Sequence, residues 1–134
     1  MKRAKALRFL FIWFGVVMSS AIFFVFIPNS EMIWIGRKLS LPAFEVTPIF
    51  EYMARAMSSI CFFFGIILLY LGFHFQEHLK FIRYMGWFAL FSVPIMIFIH
   101  FKIATPFWWK AGDIAAMLFF TCMCLLTPER LPEA

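Results

Sequence analysis

The sequence predicts an all-α fold, a polytopic membrane bundle of four helices, on three observations. Of the 134 residues, 64% are hydrophobic and 14% are charged, against about 45–50% and about 25% in soluble domains. The apolar residues form four runs of membrane-spanning length, for which about 20 helical residues are needed. Short polar connections separate the runs, so we expect a single transmembrane domain over residues 1–134.

The first span is predicted at residues 7–27, with Pro28 and Asn29 ending it. At 1.5 Å per residue it would measure about 31 Å, which is enough for the hydrocarbon core. The run is longer than the apolar part of a usual signal peptide, and no A-x-A-like site follows it. We therefore expect a retained helix.

Residues 28–47 form the longest connection and predict an amphipathic interfacial segment between the first two spans. Met32, Ile33, Ile35 and Leu39 can line one side of a short helix, with Trp34 at the level of the lipid headgroups. An irregular loop is the alternative.

The remaining spans are predicted at residues 48–73, 81–101 and 107–127. Pro48 suits a first helical turn, where its missing N–H is not needed. Pro128 ends the last span.

The distribution of basic residues predicts the orientation. With four spans both termini share one side, and that side holds seven of the 12 basic residues, four of them within the first eight positions. Positive charge favours the cytoplasmic side. We expect a multi-pass protein of the bacterial inner (cytoplasmic) membrane with both termini in the cytoplasm. Because the basic residues gather at a span's end, we expect no nucleic-acid partner.

Charged side chains lie inside two of the predicted spans. Glu51 and Arg55 are four residues apart and share a helix face. Arg55 lies seven residues past Pro48, and Asp113 seven past Pro106, so both lie about 10 Å along their helices. A charged side chain facing lipid costs about 3 kcal/mol or more. These groups are therefore expected to turn inward and pair.

We therefore expect a candidate polar cluster in the outer half of the bundle. Its predicted members are Glu51, Tyr52, Arg55, His100, Lys110 and Asp113. Two interpretations stay open at this stage. The cluster is either an interhelical clasp that fixes the register of the second and fourth spans, or a site for a ligand or ion.

No catalytic, cofactor-binding or metal-binding residue is assigned. His74 to His78 matches the H-x-x-E-H pattern of some zinc peptidases, but it falls in a short cytoplasmic turn and His100 is predicted at the opposite face. A haem would need paired axial ligands within the bilayer. Cys122 and Cys124 do not form the C-x-x-C of a disulfide oxidoreductase.

From Arg37 to Asp113 the chain resembles a family of small bacterial four-helix membrane proteins, planctomycete-type and loosely DoxX-like. The residues that carry the resemblance are Arg37, Leu39, Leu41, Pro42, the stretch Pro48–Arg55, Gly65, Arg83, the stretch Pro106–Trp109, and Asp113. His74 and His100 stand where relatives tend to have an acid. The resemblance implies a fold and a membrane location and no activity.

The function expected from the sequence is that of a non-enzymatic structural or accessory membrane component. Its partners would be the lipid bilayer and either further copies of the chain or a larger membrane complex. The alternative is a small transporter or a lipid- or ligand-binding module with an outer-leaflet polar pocket around Glu51, Arg55 and Asp113.

Overall fold

The computed structural model describes residues 2–39, 45–103 and 106–128, and within these ranges it contains helices and no strand. The predicted all-α class is confirmed. The helices are α1 (Lys2–Ser19), α2 (Ile22–Val25), α3 (Asn29–Lys38), α4 (Pro48–Phe73), α5 (Leu79–Lys102) and α6 (Phe107–Leu125). Leu41 and Pro42 of the family resemblance lie outside the described residues.

Four helical stretches are long and apolar enough to cross a membrane. They are Ala4–Val25, Pro48–Phe73, Leu79–Lys102 and Phe107–Leu125. The second coincides with its predicted span, and the others differ from theirs by a few residues at one or both ends. Their surfaces expose large apolar side chains, among them Phe88, Phe101 and Phe107. A surface of this kind is stable only in contact with lipid or another apolar partner.

The first predicted span is interrupted where one continuous helix was expected. α1 ends at Ser19, and α2 begins at Ile22 after a turn at Ser20 and Ala21. The N–H of Ala21 bonds the carbonyl of Met18 at 3.1 Å, and the Ser20 hydroxyl donates to the carbonyl of Val17 at 2.6 Å. The backbone bond of Ala21 joins residues three apart, which is the tighter spacing of a 3₁₀ turn. A serine hydroxyl that competes for backbone carbonyls favours such a break.

The connection after Pro28 contains the short helix that the amphipathic pattern predicted. The Pro28 carbonyl accepts bonds from the N–H groups of Glu31 and Met32 at 3.0 and 3.2 Å, which start α3. Thr47 caps the next helix, because its side-chain oxygen accepts a bond from the N–H of Phe50 at 3.2 Å.

The chain divides into two compact units, which are described separately. The first unit is Phe9–Phe73, and the second joins Met1–Arg8 to His74–Ala134. The single domain over residues 1–134 stays a prediction.

In the first unit, glycines allow α1 and α4 to approach closely. A Cβ added to Gly65 would lie 2.4 Å from the backbone nitrogen of Ser19. Gly15 meets Leu69 in the same way, and Gly72 meets Ile12. Because lipid gives apolar helices little reason to associate, close backbone packing of this kind holds membrane helices together.

In the second unit, α5 packs against α6. A Cβ on Gly86 would lie 2.9 Å from the Cβ of Cys124. Two buried threonines of this unit donate to the carbonyl four residues before them, Thr121 to Met117 at 2.8 Å and Thr127 to Met123 at 3.2 Å. Their hydroxyls are thereby satisfied without a partner from another helix.

Gly65→Ala is expected to destabilise the protein, because backbone atoms of α1 occupy the space that the added methyl group needs. Overpacking against backbone costs about 1–3 kcal/mol. Thermal unfolding in one detergent measures the change. Gly112→Ala is the matched control, since no atom lies within 4 Å of the Cβ position there. Equal unfolding temperatures for the two variants would contradict the close packing of α1 and α4.

Candidate functional site

Arg55 lies in the second turn of α4, and its guanidinium bonds to four groups of the chain. Its Nε donates to Glu51 Oε1 at 3.1 Å, and Nη2 lies 3.0 Å from the same oxygen. Nη2 also donates to the Ile27 carbonyl and to Asn29 Oδ1, each at 3.2 Å. Nη1 donates to the Val25 carbonyl. The guanidinium thus joins α4 to the end of the preceding span.

The two carbonyls that Arg55 binds belong to the last residue of α2, Val25, and to Ile27, two residues beyond it. α2 ends at Val25, and the extended backbone of Pro28 stops any continuation. The last carbonyls of a helix have no partner within it and carry a partial negative charge. An arginine placed there satisfies the hydrogen bonds and offsets the charge together.

Asn29 completes the arrangement. Its side-chain oxygen accepts from Arg55, and its Nδ2 donates to Glu51 Oε2 at 2.9 Å. Both carboxylate oxygens of Glu51 are therefore engaged. We call this set the Arg55 clasp: Glu51, Arg55, Asn29 and the carbonyls of Val25 and Ile27.

The sequence predicted the ion pair of the clasp and missed its other members. Asn29 was interpreted only as a residue that ends the first span. The sequence offers one indication of its role. Asn29 carries an amide and follows Pro28 at the end of the first apolar run, and the next span contains an arginine that needs polar partners. Backbone carbonyls have no mark in a sequence, and Arg55 reaches them across 28 and 30 positions.

A second polar pair joins the end of α5 to the second turn of α6. His100 Nε2 lies 3.4 Å from Asp113 Oδ2. His100 is 8% exposed, whereas the Asp113 side chain is 43% exposed. Nε2 makes no hydrogen bond within the described residues, because its contact with Asp113 lacks hydrogen-bond geometry. The sequence placed both residues in the candidate cluster, and the structure pairs them directly.

The predicted cluster residues divide between the two units. Glu51, Tyr52 and Arg55 belong to the first unit, whereas His100, Lys110 and Asp113 belong to the second. Within its unit Tyr52 is exposed and Lys110 is half-buried. The predicted contact of Asp113 with the Glu51–Arg55 pair stays a prediction.

The H-x-x-E-H stretch forms a turn between α4 and α5, as its position suggested. The turn is not wholly solvated, because Phe75 is buried. Across residues 2–39, 45–103 and 106–128, no three His, Cys, Asp or Glu side chains are grouped to hold a metal ion. Cys61, Cys122 and Cys124 are free thiols.

A scan against protein-family models matched none, and comparisons with curated proteins and with solved structures found no similar chain. The family resemblance stays a prediction, and any function has to be argued from the residues themselves.

Arg55→Met is expected to lower the free energy of unfolding by about 1.5–3 kcal/mol, the range for hydrogen bonds to a charged group. The substitution leaves two helix-end carbonyls and Glu51 without their donor. Denaturant or thermal unfolding in a fixed detergent measures the loss. Arg37→Met is the matched control, since Arg37 is exposed and has no carboxylate partner among the described residues.

Asn29→Ala should show that this is one network. Combined with Arg55→Met, its effect on the free energy of unfolding should be smaller than its effect alone, because groups in one network are coupled by about 0.5–3 kcal/mol. Ser30→Ala, the exposed neighbour, should add independently. Additive losses for Asn29 and Arg55 would contradict the clasp.

Proposed function

We propose that the chain is a multi-pass protein of the bacterial inner membrane with a structural or accessory role and no catalytic activity. The observation that carries the proposal is how many of the donors of Arg55 bond within the chain. Four of its five N–H groups are used by the chain itself: one from Nε, one from Nη1 and two from Nη2. An arginine that recognises a ligand needs free donors, so a structural role is favoured for Arg55, whose bonds join the second span to the end of the first.

The proposed orientation puts both termini in the cytoplasm. It rests on the excess of basic residues at the N-terminus and in the first two turns of α5, where Lys80 and Arg83 lie. α3 and the start of α6 then lie on the outer side. Trp108 and Trp109, whose ring centroids are 5.7 Å apart, would lie at the outer interface, where tryptophan is enriched.

One observation favours the alternative, a small transporter or lipid- or ligand-binding module. His100 Nε2 is buried and makes no hydrogen bond with any described residue, while the carboxylate beside it is partly exposed. An ionisable pair within a span is a candidate for proton or ligand handling. This pair, and not the Arg55 clasp, would be the place for such an activity.

Topology reporters test the orientation. Alkaline phosphatase inserted at residues 40–44 or 104–105 is expected to be active, because the enzyme matures only outside the cytoplasm. Green fluorescent protein at the C-terminus is expected to fluoresce. An active phosphatase fused at the C-terminus would overturn the proposed orientation.

Native mass spectrometry from a mild detergent separates the two functions. The structural role predicts a fixed partner or a homo-oligomer, and Arg55→Met should reduce stability without removing a bound small molecule. The alternative predicts a small molecule that is lost in Asp113→Asn while the unfolding temperature stays unchanged. A retained ligand of that kind would contradict the structural proposal.

A further inference from the structure

We propose that α3 binds anionic phospholipid headgroups through three side chains, Trp34, Arg37 and Lys38, here called the α3 patch. The inference rests on the proposed membrane location and deepens it by naming the class of lipid and the residues that recognise it.

The three residues occupy positions i, i+3 and i+4 of α3, so they share one face of the helix. All three are exposed, Trp34 by 58%. The Lys38 ammonium lies 5.7 Å from the centre of the Trp34 ring, within the range of a cation–π contact. An aromatic ring and two cations therefore form one continuous surface.

The opposite face of α3 is turned toward the protein. Gly36 is buried, and Met32, Ile33 and Ile35 are half-buried. The helix therefore has an apolar inner side and a cationic outer side. The outer side therefore presents Trp34, Arg37 and Lys38 to the surroundings, and tryptophan and basic residues are the types that favour the headgroup layer.

The Arg55 clasp sets the depth at which α3 begins. Asn29, the first residue of α3, is bonded to Glu51 and Arg55 in the first two turns of a membrane-length helix. The start of α3 is thus held beside the end of a span. A polar headgroup layer adjoins the hydrocarbon core there and is about 5–7 Å thick on each side.

The charge of the patch favours an anionic headgroup over a zwitterionic one. Among the described residues no carboxylate pairs with Arg37 or Lys38. Glu31, the acid of this helix, lies seven residues before Lys38, about 10 Å along the axis. An arginine fork can grip a phosphate with two hydrogen bonds. In a zwitterionic lipid such as phosphatidylcholine, the phosphate carries a positively charged choline group, which Lys38 would repel.

The test uses the full-length protein in a mild detergent, titrated with phosphatidylglycerol or phosphatidylcholine and read by native mass spectrometry. The wild type is expected to retain phosphatidylglycerol in preference. R37Q combined with K38Q should lower that preference roughly tenfold or more. Each basic residue near an anionic surface adds to the affinity for it, and the double variant loses two of them. R37K combined with K38R keeps the charge and should keep most of the preference.

The matched control is K80Q combined with K102Q. It removes the same charge from exposed positions on α5, one of which also lies over an aromatic ring, Phe98 at 5.7 Å. Retained preference in this control supports the patch. An equal loss in the control, or no loss in the α3 variant, overturns it. Displacement of the lipid by inorganic phosphate at equal concentration also overturns the assignment to lipid.

Failure of this inference can be told from failure of the proposed function. A wild-type protein that inserts into phosphatidylcholine nanodiscs with the proposed topology, yet shows no preference for phosphatidylglycerol, contradicts the α3 patch alone. A protein that does not insert contradicts the membrane function itself.

Discussion

The positive charge of Arg55 is the constraint on which the first unit depends. A guanidinium inside a membrane-length helix needs a counter-charge and hydrogen-bond acceptors from the protein, because the hydrocarbon core supplies neither. Glu51 supplies the counter-charge within the same helix, and Val25 and Ile27, at and just past the end of α2, supply the carbonyls. The cost of the charged residue and the cost of a broken helix end are thus offset against each other.

Apolar packing surrounds this polar joint without competing with it. The glycine contacts between α1 and α4 involve Gly15 of α1 and Gly65 and Gly72 of α4, and they lie along the second half of α4, away from the clasp. Close backbone contact supplies attraction where the hydrophobic effect is absent between helices in lipid. Small residues make these helix surfaces smooth, so packing alone would let the first span slide along α4. The clasp fixes the register of the two.

Much of the fold could be predicted from the sequence, because span length and hydrophobicity are local properties. The second span was predicted at the bounds that α4 has. The break at Ser20 and Ala21 was not, since both residues are compatible with a membrane helix. In the site, the Glu51–Arg55 pair follows from helical spacing. Asn29 could not be found that way, because its partner lies 26 residues away and depends on how the chain turns at Pro28.

The two polar groups lead to different conclusions about ionisable residues in spans. Such residues are functional candidates by default. That default holds only where the side chain keeps donors or acceptors that the protein itself does not use. At Arg55 nearly every donor is used internally, so the charge is explained by the fold. At His100 a buried nitrogen makes no hydrogen bond with any described residue, and the neighbouring Asp113 is open to its surroundings. The unmet bonding capacity of the spans therefore lies at His100 and Asp113, and the fold alone does not account for it as it does at Arg55.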